Sequence, residues 1–263
     1  IIGAVIQDLK RREVDNIWNF SLAIIALAYR ASISVQTNNY WIILNGLIGL
    51  TIFIILGNLF YYSRLFAGGD AKLVMSLGAI LPLSMNWVTN IKIFGIFIIL
   101  FMIGGSVYAM IYSLIIMIQN MKQFKNTYKK EINKNKKIIT TTLIFFATWL
   151  ILGLIINTKL ILISIIILLF PILLIFAKTI EKSCLTKKVK PEKVTIGDWL
   201  AKEITIKGKK IKPSWHGITQ KQLKLIQKQK RKIKIKYGIP FTPSFLIAII
   251  GLIIIITKYK SLI

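Results

Sequence analysis

The sequence predicts an all-α membrane protein: six to eight transmembrane helices, with a small cytoplasmic polar domain before the last of them. Three observations predict it. The 263 residues are 55% hydrophobic, with a mean hydropathy of +0.67, which is more apolar than a soluble domain. Several runs reach the roughly 20 apolar residues that cross a bilayer. The charge is lopsided, 36 Lys and Arg against 9 Asp and Glu, and it gathers in alternate loops.

The elements follow in order. IIGAVIQ (1–7) reads as the end of a first apolar helix, with DLKRREVDN (8–16) as a polar loop behind it. The chain opens on Ile1 rather than Met, so residues before it, and part of the first span, are expected to be missing. IWNFSLAIIALAY (17–29) starts a second span that runs on through Arg30, whose long side chain is expected to snorkel to the interface. WIILNGLIGLTIFIILGNLFYY (41–62) is a third span, and a short loop then carries Arg64 and Gly-Gly-Asp. KLVMSLGAILP (72–82) begins a fourth, with Pro82 near its end, and 91–118 is a long fifth whose Gly104–Gly105 pair allows close helix contact or a bend. Residues 120–137 form a basic loop. Two more runs, 138–156 and 160–177, are separated by little more than NTK, and read as two spans or one re-entrant hairpin.

The polar stretch from Lys178 to Gly238 contains GDWLAKEI (197–204), with apolar residues at helical spacing. QKQLKLIQKQKRKIKIKYG (220–238) reads as a basic amphipathic helix at the headgroup surface. IPFTPSFLIAIIGLIIIIT (239–257) returns to the membrane. The chain thus divides into a transmembrane domain over 1–178, a basic cytoplasmic domain over 179–237, and a final span with its tail over 238–263.

Charge orients these spans. The loops 9–16, 63–72, 120–137 and 178–236 hold 3, 2, 7 and 19 Lys and Arg, 31 together, against five on the opposite side: Arg30, Lys92, Lys159, Lys258 and Lys260. That asymmetry places the first group in the cytoplasm, and eight spans give the alternation cleanly, with the N-terminus outside. It also accounts for the net charge of +27 through anionic lipid headgroups, and no nucleic-acid partner is expected. A single cysteine, Cys184, excludes an intrachain disulfide and a cysteine zinc cluster. A single histidine, His216, excludes a histidine metal site or a Ser–His pair within the membrane. No metal and no cofactor is expected.

Among the scarce acids, Asp8 and Asp70 stand apart. Asp8 closes the first span and Asp70 opens the fourth, so both lie at one depth on the cytoplasmic face, 62 residues apart. An ionisable group at such a place is a functional candidate. Two carboxylates that cannot both ionise readily would share one proton, so that one activates water and the other donates to a peptide carbonyl. Gly68 and Gly69 would let a substrate backbone approach Asp70 closely and would permit unusual dihedrals. The plainer alternative is that Asp70 caps its helix. Asp15 lies where it could assist Asp8 or cap the second span, and Glu13 and Asp15 could greet a basic substrate. Lys72 would pair with Asp70, hold a lipid phosphate, or snorkel.

The stretches around both aspartates resemble a known family. DLKRREVDN is similar to the D-L-x-x-R-x-x-x-N stretch of the type IV prepilin peptidases and their archaeal relatives, the preflagellin peptidases. GGDAKLVMSLGAILP is similar to their glycine-rich G-D-x-K-L motif followed by L-G, and KYGIPFTPSFLIA to the G-I-P-F/Y-x-P opening of their final span. The resemblance implies a GxGD-type membrane aspartyl protease, with Asp8 and Asp70 as its catalytic pair. It would remove a short basic leader from preflagellin or prepilin-like precursors at the cytoplasmic face of the cell membrane. One position departs: Ala67 stands where the first Gly of G-x-G-D belongs. The bacterial members' cysteine-rich loop and second, methylating activity find no counterpart in a chain with one cysteine, which favours the archaeal branch. Two readings from other classes compete: a transporter or ion pathway using both carboxylates, and a non-catalytic assembly platform that docks through its basic insert.

Overall fold

The computed structural model describes residues 1–258 except positions 207 and 230. Lys260 of the charge count lies outside the described residues, as do Lys207 and Lys230. The chain forms ten helices, α1 Ile2–Arg11, α2 Asn16–Gln36, α3 Trp41–Tyr62, α4 Gly68–Leu77, α5 Trp87–Gln119, α6 Met121–Lys134, α7 Lys136–Ile155, α8 Lys159–Ser183, α9 Gln220–Gln227 and α10 Thr242–Lys258, among the described residues. Five short strands, β1 Thr186–Val189, β2 Trp199–Leu200, β3 Ile204–Ile206, β4 Lys209–Ile211 and β5 Ile233–Lys236, fall between α8 and α10. Five helices, α2, α3, α5, α7 and α8, are long and apolar enough to cross a membrane. α7 and α8 are two helices joined by a tight turn.

The chain separates into two compact units: Ile1–Ile111 with Ile239–Ile263, and Tyr112–Gly238. In the first, phenylalanines build the core. Phe53 packs edge-on to Phe94, with ring centres 5.1 Å apart, and Phe101 stacks on Phe245 at 4.5 Å. Leu73 and Leu77 of α4 are buried in the same cluster. Edge-to-face and offset pairs of this kind add to the area that aromatics bury.

The fourth span differs from its expectation. The helix starts at Gly68 and stops at Leu77, and residues 78–86 continue as turn and extended chain to α5. A helix that stops early leaves its last carbonyls without partners. Here the following turn takes those of Met75, Ser76 and Leu77, and Arg30 takes the carbonyls of the segment beyond: its guanidinium donates to Ala79 (2.8 Å), Ile80 (3.1 Å) and Pro82, and to Ile42 of α3 (3.3 Å). Arg30 therefore does not snorkel; it stitches the broken segment to α2 and α3. Close packing of α3 on α4 also needs glycine. A Cβ at Gly57 would stand 2.9 Å from the Ala71 carbonyl oxygen, and one at Gly49 would overlap Pro82 and Gly78.

The second unit corrects three expectations. The basic stretch after α5 is not a loop but helix α6, which buries Phe124 and Glu131. Residues 197–204 are not helical; Trp199–Leu200 is β2 and Ile204 opens β3. The expected helix over 220–238 ends at Gln227, and Ile233–Lys236 is β5, central in a three-stranded antiparallel sheet of order β1-β5-β2. Ile226, Ile233 and Ile235 point into a small apolar core with Val194, Leu200, Ile206, Ile211 and Ile218. They serve this core rather than a lipid surface. α9 starts with a capping box, in which Thr219 and Gln222 satisfy each other's backbone N–H.

Candidate active site

Asp8 sits in the last full turn of α1, and is buried. The helix ends at Arg12, which takes a left-handed conformation (φ 60°) and donates its N–H to the Asp8 carbonyl at 2.7 Å. The loop 12–15 is thus shorter than the expected polar loop, and Asp8 is helical rather than at its start. The Asp8 carboxylate meets the start of α10. Its Oδ2 accepts from the Thr242 N–H at 3.0 Å and the Thr242 hydroxyl at 2.7 Å. Thr242 is fully buried. A carboxylate at a helix N-terminus satisfies an otherwise orphaned donor and is favoured by the helix dipole.

Asp70 is the third residue of α4, behind an N-cap at Ala67. It does not cap the helix itself, but it accepts a backbone hydrogen bond from Ala67, the return half of a capping box. Ala67 has φ −68° and ψ 162°, extended values open to any residue, so the missing first glycine costs the backbone nothing. Gly68 and Gly69 likewise hold ordinary helical dihedrals. A Cβ at Gly69 would meet Val14 at an ordinary 3.7 Å, and one at Gly68 would meet Tyr61 at 3.9 Å. The expected unusual dihedrals are absent at both.

Asp70 lies outside the five long apolar helices and is partly buried. Burial, chiefly, and the charge of Asp8 push its carboxyl up to about 7, against the pull of the Ala67 hydrogen bond. Asp8 and Asp70 are thus close enough for one charge to act on the other.

The neighbouring residues tie the two stretches together. Lys72 does not pair with Asp70; its ammonium donates to Asn16 Oδ1 at 2.7 Å. The Asn19 amide reaches the Gly69 carbonyl at 3.4 Å. Asp15 sits at the N-cap of α2 without capping it. Its carboxylate accepts instead from the Gln7 amide, and its N–H donates to Gln7 Oε1 at 3.0 Å. Glu13 is exposed in the loop between α1 and α2. Sequence reasoning missed Thr242, Asn16 and Gln7. Asn16 and Thr242 do fall within the quoted D-L-x-x-R-x-x-x-N and G-I-P-F-T-P stretches, and that was the available signal. Among the described residues no group of three His, Cys, Asp or Glu could hold a metal ion.

Residues 1–118 match the model of the type IV leader peptidase family. A preflagellin peptidase of Methanococcus maripaludis is 30% identical over 129 residues, covering 46% of this chain and 55% of that one. A preflagellin peptidase of Methanococcus voltae is 33% identical over 82 residues (31% and 35%), and one of Methanocaldococcus jannaschii is 32% identical over 88 residues (31% and 37%). The chain therefore spans about half, or less, of the length of the curated relatives it matches. No solved structure matches it. The resemblance read from the two aspartate stretches is borne out.

Proposed function

We propose that this chain is a membrane-embedded aspartyl endopeptidase that removes the short basic leader of preflagellin or prepilin-like precursors at the cytoplasmic face of the cell membrane. The observation that carries the reading is the unlike pair: Asp8 held by two donors, and Asp70 partly buried within reach of the charge of Asp8. In this reading Asp8, held in place by the two Thr242 donors, serves as the base and Asp70 as the acid. With Oδ2 committed to Thr242, Oδ1 is left to take a proton from water. That water attacks the scissile carbonyl while Asp70 gives its proton to the carbonyl oxygen; as the resulting diol collapses and the C–N bond breaks, Asp8 passes the proton it took from water to the leaving amine and Asp70 takes its own back. Thr242 is a positioning residue for Asp8.

The topology belongs to the same proposal. Counting the broken segment 72–86, which opens after Asp70, and the shorter helices α1 and α10 as crossings gives eight spans, with the aspartates at the cytoplasmic face and the 179–237 domain and the basic loops in the cytoplasm. Gly68, Gly69, Lys72, Glu13 and Asp15 would support or receive the substrate, and anionic headgroups would balance the +27 charge. A transporter would also want a broken helix. Here the break at 78–86 carries no carboxylate, and Arg30 occupies its carbonyls.

The test is cleavage of a preflagellin-like precursor by the membrane-embedded chain, followed by the mass of the precursor's N-terminus. The wild type shortens it, and Asp8→Asn and Asp70→Asn leave it at full length. A variant that cleaves at the wild-type rate removes its aspartate from the pair. No cleavage by the wild type refutes the reading.

A further inference from the structure

The second unit holds a cleft of about 700 Å³ that the proposed cleavage does not use. It opens where two of the long apolar helices end, at Gln119 of α5 and Ser183 of α8, against the edge of the β1–β5 ladder. Four lysines line it, and no carboxylate does. Lys182 is already answered, by Glu131 at 2.6 Å, and next to the cleft Lys236 is answered by Glu181 at 2.9 Å. Lys187, Lys188 and Lys234 form no ion pair among the described residues. Moreover, Lys188 stands directly opposite Lys234 across the antiparallel ladder. Like charges at facing positions destabilise a sheet, and such a pair persists most readily where an anion lies between or beside its members. Opposite the lysines, the α6 side contributes Gln123, Asn126 and Thr127. Their side chains have no other protein partner among the described residues.

We propose that this cleft binds a phosphate group, carried by the headgroup of an anionic lipid or as a free phosphate. The lining is rich in donors, which suits a tetrahedral oxyanion with several acceptor oxygens, and ammonium groups bind phosphate as point charges. Its place at the ends of two long apolar helices puts it at headgroup depth, where lysine clusters meet anionic lipid. The site does not depend on the aspartate pair.

The test uses the full chain, delipidated in neutral detergent, in two arms. One titrates inorganic phosphate against chloride at constant ionic strength and follows binding heat. The other offers phosphatidylglycerol or phosphatidylcholine and detects retained lipid by native mass spectrometry. Lys188→Glu faces Lys234 with an opposite charge, so it is expected to fold at least as well as wild type while losing at least about tenfold in affinity. Lys210→Glu, on β4 and outside the cleft, makes the same change in net charge and is expected to bind as wild type. Saturable phosphate binding lost in Lys188→Glu alone identifies a free-phosphate site. Selective retention of phosphatidylglycerol, lost in Lys188→Glu alone, identifies a lipid site. If neither probe binds, or if both variants weaken binding equally, the proposal is overturned.

Discussion

At the scale of the residue, the two aspartates differ by what surrounds them. Asp8 is fixed by the backbone and the side chain of one threonine 234 positions away. Among the described residues no ammonium forms an ion pair with Asp70, and Lys72 is drawn to Asn16 instead. Removing the Thr242 hydroxyl should therefore loosen Asp8 while the N–H bond remains. Thr242→Val is expected to lower kcat about tenfold to a hundredfold, as for a lost hydrogen bond to a charged group, with little change in KM. Thr242→Ser should restore most of the rate, and a steady-state comparison of the three proteins checks this. Valine matching wild type would remove Thr242 from the mechanism. The positions of Asp8 and Asp70 were legible in the local sequence, because charge before or after an apolar run marks itself. The contact of Thr242 with Asp8 was not, since the G-I-P-F-T-P stretch marks the threonine but only the fold brings it to a residue 234 positions away.

At the scale of the element, α4 is where sequence and structure part. Its apolar run continues smoothly to Pro82, so periodicity reads as one span, whereas the helix ends at Leu77. What makes that tolerable is remote: an arginine from α2 takes the carbonyls of the segment beyond. Glycines on α3 then let α4 lie close, and Gly57 lies beside Ala71, the neighbour of Asp70. Gly57→Leu should force the two helices apart, at a cost of roughly 1–3 kcal/mol, and displace Asp70. Thermal unfolding and cleavage should both fall. Unchanged cleavage would show that α4 is not held by this contact. The insert teaches the complementary lesson. The stretch KIKIK alternates with period two, a strand pattern that was present to be read. It was overridden by the lysine-rich context, which resembles an amphipathic helix as readily as a sheet edge. Ile226 belongs to the helix and Ile233 to the strand, and only the shared core between them fixes that division.

At the scale of the whole molecule, the membrane class was legible because composition is a sum and needs no geometry. The same sum poses a difficulty for the proposed function, since a basic leader would have to approach a chain of net charge +27. Exposed Glu13, in the loop between the two aspartate-bearing stretches, is the local acid best placed to offset it. Glu13→Lys is expected to lower kcat/KM for a basic-leader precursor several-fold at low salt, with the deficit shrinking as salt screens it. Equal kcat/KM at low salt would show that Glu13 plays no part in the encounter.

The central claim is that one carboxyl of the pair carries the proton, and that it belongs to Asp70. The most direct measurement is the pH dependence of kcat/KM for precursor cleavage, which reports the ionisations of the free enzyme. Asp70 must be protonated to donate, and its carboxyl is raised to about 7. The rate should therefore hold on the acid side and fall as pH rises through about 7, by tenfold per unit beyond it. A rate that stays level or climbs from about pH 6 to about pH 9 would contradict the account.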